Sequence, residues 1–472
     1  MPLPSVYSRL GLDVLMNVEI REENGRRGVF LAEDVADAVS ASSNIVASIP
    51  LASTLSCQSL IDNSPEIGEL VTFAGAGSLD DDSILALFLL ILRFHSVPTD
   101  SPSFVFAEPF VDFVQSFPAS YSSSIFFSES SISHMFIRNT TLGNLTSRIK
   151  HQVLQDYGAL QSLLLRFSRI HPGNFFPLEL DLQEYVWGLW SIYSRSADVE
   201  IPGSDGGIGG RKRLLVPFLD MFNHHSSTSQ VSHCFSPEGQ GAGAGSVVIK
   251  TVAGSPPLLA HSEICLNYGK LSNTKFALFY GFCDEENEFN CTQIHVPLAR
   301  DDVLFERKVL CMRNVFPDTG WNSDEPIALT RGGNVPDRLM SVLRILPLDD
   351  KALEALEEII GRKEGGMESG IPFISLENEE SALMALESSL FAMSQQVAID
   401  LMEGKSNQPT RTSPSPRTNQ PQMLTPPYPT PPHPPQPASL RSPRRYAAVL
   451  RTDRRKEGVR GGLLHGSSVC GK

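Results

Sequence analysis

Apolar and polar positions alternate over residues 13–50 with the two-residue period of half-buried strands, broken by a turn-rich stretch at 24–28. The period then changes. Segments 84–94, 151–170 and 179–195 carry helical spacing, and in the last of them Leu182, Tyr185, Val186 and Leu189 make one face. Short apolar strands return at 214–219, 247–252 and 263–268, with glycine-rich loops at 203–210 and 239–246. From about 300 to 404 the pattern is helical again. Leu339, Leu343 and Leu346 form one stripe and Leu383, Leu386, Leu390 and Met393 another, both read as core.

The chain has 472 residues, enough for two or three domains with buried cores. Its longest apolar run, 84–94, is too short to span a bilayer and reads as a buried helix. The first residues lack a basic start followed by an apolar stretch, and acidic, strand-like sequence begins almost at once, so neither a secretory leader nor a transit peptide is expected. Seven scattered cysteines without a CxxC pair point to reduced thiols, hence cytoplasm or nucleus, and away from a structural zinc cluster.

Charge divides the chain. From Lys405 onward it carries 12 basic and 2 acidic residues, leaving 27 basic and 51 acidic residues before that point. An acidic body is a poor general binder of nucleic acid and suits a basic protein partner better. Twelve of the 29 residues over 409–437 are proline, too many for a packed domain, and a basic cluster follows at Arg444, Arg445, Arg454, Arg455 and Lys456. The plain reading is a solvated tail. A nuclear address or a docking site for proline-binding modules is the sharper one.

Two segments carry the candidate chemistry. In 216–224, Val-Pro-Phe-Leu-Asp-Met-Phe-Asn-His, an apolar strand runs into polar Asp220, Asn223 and His224. Buried polar groups need hydrogen bonds, so these three either cap structure or hold a polar ligand. In 263–269, Glu-Ile-Cys-Leu-Asn-Tyr-Gly, Tyr268 stands at a strand end beside a glycine, where its hydroxyl can enter a cleft. Ser272-Asn273 follows, and then Tyr280-Gly281-Phe282, a bare backbone flanked by two aromatic faces.

The order and spacing of these segments resemble the SET-domain family, in particular the branch of the Rubisco large-subunit lysine methyltransferase and the actin-histidine methyltransferase. That branch has P-x-x-D-x-x-N-H, then E-x-x-x-x-Y-G, then S-N and Y-G-F, all present here in register, and a G-R-G-x-x-A turn matched over 25–32. The resemblance covers about residues 10–404. It implies an α+β SET fold: small β-sheets with a knot-like crossing at 1–60 and 201–283, a helical insertion at 61–200 and a helical substrate-binding lobe at 284–404. Residues 405–472 form the tail.

The resemblance further implies S-adenosyl-L-methionine as cofactor, a protein substrate, no nucleic acid or membrane partner, no metal, and a monomer. Asn223 and His224 match positions that meet the methionine end of the cofactor, and Asn44, Ile45 and Val46 match the early strand whose backbone touches it. Arg195 matches an arginine near the cofactor carboxylate or the substrate. Asp220 and Tyr280 match the substrate pocket, Gly281 and Phe282 the adenine side, and Tyr268 the tyrosine central to methyl transfer. The expected reaction is methylation of a lysine in a non-histone protein. The alternatives are methylation of a histidine by the same fold, or a silent module serving as scaffold. Two departures stand out: Arg26 in place of the first glycine of the turn, and Asn44 where the branch often has glutamate.

Other constellations are weaker. His224, His225, His233 and Cys234 match no common zinc spacing, and the glycine run 241–246 lacks the Lys-Ser/Thr of a phosphate loop. The acidic run 284–288 reads as a solvated loop, or as a greeting surface for a basic substrate. Cys265 and Cys283 read as small buried residues.

Overall fold

The alternation over 13–50 becomes four strands, β1 (Asp13–Val14), β2 (Val18–Glu23), β3 (Arg26–Leu31) and β4 (Ile45–Pro50). This is a computed structural model describing residues 5–406, except 24, 33–43, 76, 203–209, 228, 239–244, 256, 257, 295, 297, 317–326, 331–334 and 363–369. The glycine-rich loops and the tail therefore lie wholly or largely outside the described residues.

Strands β2 and β3 pair antiparallel from Val18↔Leu31 to Glu23↔Arg26, which leaves two residues for the turn. Gly25 has φ +75°, the left-handed backbone that such a short hairpin requires. Arg26 thus sits at an exposed strand position, opposite Glu23.

Later strands are β5 (Ser196–Ile201), β6 (Gly210–Leu215), β7 (Val231–Ser236), β8 (Ser246–Thr251), β9 (Glu263–Ile264), β10 (Cys291–Ile294) and β11 (Ile327–Thr330). They build small antiparallel sheets in the orders β1-β4-β8-β7 and β2-β3-β9, plus the pairs β5-β6 and β10-β11. Two expected strands end earlier than read. The one at 214–219 ends at Leu215, because Pro217 has no N–H for a ladder and Phe218 takes φ +74°. The one at 263–268 pairs only through Ile264, after which Leu266 forms parallel bridges to His224 and Val231.

The helices are α1 (Ser5–Arg9), α2 (Cys57–Asn63), α3 (Pro65–Ala74), α4 (Asp81–Phe94), α5 (Phe104–Gln115), α6 (Ile132–Ile137), α7 (Thr141–Ile170), α8 (Leu182–Arg195) and α9 (Asn273–Phe279). Asp80 caps α4, its carboxylate accepting from the Ser83 N–H, and every residue from Ser83 to Leu92 is buried. A helix apolar all round must be enclosed, and each large side chain here contributes about 1.5–3 kcal/mol by leaving water. Helix α8 supplies much of that enclosure. At Gly188 an added Cβ would lie 3.0 Å from the Ala86 carbonyl oxygen, so the glycine permits close packing. The Ser83 and Tyr185 hydroxyls satisfy each other at 2.8 Å inside this core.

The described residues divide into two compact units, one within 5–294, 327–336 and 389–406, the other within 296–316 and 337–388. Among the described residues the second unit holds α10 (Phe305–Val315), α11 (Asp337–Ile345), α12 (Asp350–Gly361) and the first part of α13 (Leu376–Ser406). The stripe on α11 is core at Leu339 and Leu343, with Leu346 half-buried. The stripe expected on α13 holds only in part: Leu386 is buried and Met393 half-buried, but Leu383 and Leu390 are exposed, and Ala382 is buried beside Leu386. The helix is rotated by its polar ties, since Arg344 grips Glu379 with two hydrogen bonds of 2.7 and 2.8 Å and Asn378 donates to the Arg344 carbonyl. No helix among the described residues is long and apolar enough to cross a membrane.

Candidate active site

After β6, Val216 to Phe218 descend into the core and Phe218 holds φ +74°, a strained backbone for a bulky residue. A single turn at Leu219–Met221 follows, and it points Asp220 inward. The Asp220 carboxylate has no solvent exposure and is paired with Arg195 at 2.7 Å. Arg195 is the last residue of α8, a helix capped by Asp181 and tied by the Trp190 indole N–H to the Leu278 carbonyl at 2.9 Å. Its guanidinium lies 5.0 Å from the centre of the Phe117 ring. Burial pushes the Asp220 carboxyl up while Arg195 pulls it down. Among the described residues Arg195 Nε and Asp220 Oδ1 are buried with no hydrogen-bond partner, one donor and one acceptor left over.

Beyond this turn, the chain crosses the 265–268 segment. The Leu266 N–H donates to the Asn223 carbonyl at 2.8 Å, and the His225 N–H donates to the Leu266 carbonyl at 3.2 Å. The Asn223 amide donates to Glu263 Oε1 at 2.5 Å and to the Arg27 carbonyl at 2.8 Å. This network fills the space beside Gly28, where an added Cβ would fall 2.2 Å from Glu263 Oε1.

Tyr268 is held by the same crossing at both ends. Its N–H donates to His224 Nδ1 at 3.0 Å, and its hydroxyl donates to the Phe222 carbonyl at 2.7 Å. Burial raises the Tyr268 phenol well above the usual tyrosine range, and neighbouring Tyr280 adds to the rise. Arg195 and Asp220 also act on this phenol, with opposite signs, so the ion pair belongs to the same electrostatic neighbourhood. The Tyr268 and Tyr280 rings stack at 4.8 Å.

Helix α9 places the remaining aromatics. Ser272 caps it, and at its end the N–H groups of Tyr280 and Gly281 both return to the Phe276 carbonyl. Gly281 has φ +77°, and a Cβ there would meet the Ser122 backbone at 2.8 Å. Only glycine meets both demands. The Phe276 and Phe282 rings stack at 5.0 Å, with the His224 ring 4.6 Å from Phe276.

The structure therefore gathers Asn223, His224, Tyr268, Tyr280, Gly281 and Phe282 around one crossing, with Arg195 and Asp220 beside it. Asn44, Ile45 and Val46 serve the sheet: the Asn44 carbonyl accepts from Thr251, and the Val46 carbonyl accepts from Leu15 and Met16. Asn44 is exposed, Ile45 half-buried and Val46 buried. Cys265 is buried as expected, but Cys283 is exposed because it follows the Gly281 turn. Glu263 was visible only as a motif letter. Ser226, which donates to Asp284, was not visible at all. Among the described residues no group of three or more His, Cys, Asp or Glu is placed to hold a metal ion.

No family model matches the chain. Among curated relatives, the chloroplastic ribulose-1,5 bisphosphate carboxylase/oxygenase large subunit N-methyltransferase of Nicotiana tabacum is 24% identical over 266 residues, 56% of this chain and 50% of that protein. SET domain-containing protein 4 of Artemia parthenogenetica is 26% identical over 226 residues, 44% of this chain and 50% of that protein. The human actin-histidine N-methyltransferase is 23% identical over 235 residues, 48% of this chain and 35% of that protein. The chain thus spans half the length of the first two and about a third of the last. Among solved structures, the SET domain of LSMT bound to methyllysine and AdoHcy superposes with a TM-score of 0.56 at 17% identity, covering 76% of this chain and 74% of that one. Rubisco LSMT bound to AdoMet gives 0.55 at 17% identity, covering 76% and 73%. The chain has the SET-domain fold, and its sequence is similar to the branch that includes the Rubisco large-subunit and actin-histidine methyltransferases.

Proposed function

We propose that this protein transfers a methyl group from S-adenosyl-L-methionine to a lysine side chain of a non-histone protein. The observation that carries the reading is the double tether of Tyr268, hydroxyl to the Phe222 carbonyl and N–H to His224, at the crossing of the SET fold. Such a tether fixes a phenol at one point and leaves its oxygen lone pairs free to accept from an incoming amine.

The described residues fit the cofactor. Among the described residues Arg195 Nε lacks an acceptor and Asp220 Oδ1 lacks a donor, and an amino-acid end with a carboxylate and an ammonium supplies both types of group. Phe282 offers an aromatic face beside the bare Gly281 backbone. When bound, the cofactor supplies an already activated sulfonium methyl, so acid or base catalysis of its departure is not needed.

Tyr268 acts as a neutral dipole. Its raised titration keeps the hydroxyl protonated near neutral pH, which rules it out as the base that strips the lysine. Proton loss falls instead to solvent as the amine enters, helped by desolvation of a group whose ordinary value is about 10.4. The stacked Tyr268 and Tyr280 rings wall the acceptor from water and hold it in line with the methyl. The acidic body favours encounter with a basic segment.

The test is to incubate the full chain with labelled cofactor and a cell extract, and to map the labelled residue by mass spectrometry. Methyl on lysine is the expected result. Methyl on histidine transfers the reading to the other activity named in this branch, and cofactor binding without transfer makes the protein a scaffold.

A further inference from the structure

The acidic run 284–288 contains two residues that are not solvated loop residues, Asp284 and Asn287. Asp284 is clasped by Asn273 through both backbone groups: its N–H donates to Asn273 Oδ1 at 3.3 Å, and its carbonyl accepts from Asn273 Nδ2 at 2.8 Å. Asn287, 1% exposed, braces that clasp by donating to Asn273 Oδ1 at 2.9 Å and to the Leu271 carbonyl at 2.8 Å. The Asp284 carboxylate is fixed as well, since Oδ1 accepts from the Glu286 N–H at 3.0 Å and Oδ2 accepts from the Ser226 hydroxyl. Ser226 Oγ lies 3.0 Å from His224 Nε2, and His224 Nδ1 accepts from the Tyr268 N–H.

The directions of these bonds are forced. A backbone N–H only donates, so His224 Nδ1 carries no proton when it faces Tyr268. A carboxylate only accepts, so the Ser226 hydrogen points to Asp284 and its lone pair faces Nε2. The neutral ring therefore carries its hydrogen on Nε2.

We infer that Asn273, Asp284 and Ser226 form a positioning chain that fixes the tautomer of His224 and, through it, the backbone of Tyr268. The inference rests on the methyl-transfer reading for its effect on rate, but not for its effect on the ring. It gives a role to Ser272-Asn273, otherwise a motif without a function: Ser272 starts α9 and Asn273 locks Asp284. None of the three touches the reacting atoms in this account. They act through His224, so the expected signature is in turnover and its pH dependence, with cofactor affinity little changed.

The groups facing the ring set that dependence. Asp284 across Ser226 and the Leu266 carbonyl favour the cation, while burial and neighbouring His225 oppose it, and the net direction is downward from the ordinary histidine value. Protonation would place a hydrogen on Nδ1, opposite the Tyr268 N–H, and remove that tether.

The experiment is nitrogen-15 NMR of the histidine ring in the full chain, with single-turnover methyl transfer and cofactor calorimetry on Ser226→Ala, Ser226→Thr and Asp284→Asn. The expected results are a neutral His224 ring protonated on Nε2, and a transfer rate lowered about tenfold in Ser226→Ala and Asp284→Asn. Cofactor affinity should stay within about threefold. The acid limb of the rate profile should move in both variants, and Ser226→Thr should restore rate and profile. A ring protonated on Nδ1 in the wild type overturns the inference, as does Ser226→Ala with wild-type rate and pH profile. If the wild type neither binds cofactor nor transfers methyl, the proposed function fails while the ring spectrum still decides the chain.

Discussion

The hydroxyl of Tyr268 donates to the Phe222 carbonyl oxygen at 2.7 Å, and this bond decides what the phenol can do. A hydroxyl committed to a main-chain acceptor is neither a free acid nor, with its titration raised by burial, an available base. It is an oriented oxygen. The acceptor comes from the segment that begins with Pro217 and the strained Phe218, so the same backbone kink that buries Asp220 also aims Tyr268.

The first prediction concerns that kink's ion pair. Asp220→Ala leaves Arg195 buried without its carboxylate, and breaking a buried pair in this way costs about 3–5 kcal/mol. Chemical denaturation should show the loss as a lower midpoint with an unchanged slope. A change below about 1 kcal/mol would mean that water or a rearranged partner satisfies Arg195.

Gly281 offers a cleaner test of local geometry. Gly281→Ala must accept φ +77° and a Cβ 2.8 Å from the Ser122 backbone, so a destabilisation of about 1–3 kcal/mol is expected, together with weaker cofactor binding. Gly158→Ala, on open helix surface, should be neutral or slightly stabilising by the ordinary glycine-to-alanine preference. Equal melting temperatures for the two variants would contradict the packing described at Ser122.

Stability should also fall on mild acidification through His224. Its folded titration lies below the ordinary value of about 6.5, with burial as the main cause. The neutral ring is thus favoured by folding, and its contribution is present above the unfolded value and lost as pH falls through the folded one. His233, also lowered by burial, has the same sign. Denaturation midpoints at pH 7.5 and 5.5 should differ less in His224→Gln than in the wild type. An equal drop in both would remove His224 from the effect.

Much of this arrangement was legible from residue order alone, for identifiable reasons. The helices α7 and α8 follow apolar periodicity and α4 an unbroken apolar run, and the site segments follow a spacing that no single motif could shift alone. What was not legible depends on relations across the chain. The exposed Leu383 on α13 is decided by the Arg344–Glu379 grip, which links residues 35 apart. The true ends of β6 and β9 are set by Phe218 and by the parallel bridges of Leu266, neither visible as alternation. Asp284 looked like one more solvated acid, because the Ser226 hydroxyl that holds its carboxyl below the usual range lies 58 residues away.

The most direct test of the central claim is single-turnover methyl transfer by Tyr268→Phe, measured with cofactor affinity and melting temperature on the same sample. The ring and its stacking on Tyr280 remain, and only the hydroxyl and its bond to Phe222 are lost. The account predicts a rate lower by about 10²-fold or more, the scale of one preorganised dipole. It predicts cofactor affinity changed by less than about tenfold, or roughly 1.4 kcal/mol. The wild-type rate should rise with pH as the acceptor amine loses its proton. Near-normal transfer by a well-folded Tyr268→Phe would contradict the account and leave Tyr268 a structural residue of the crossing.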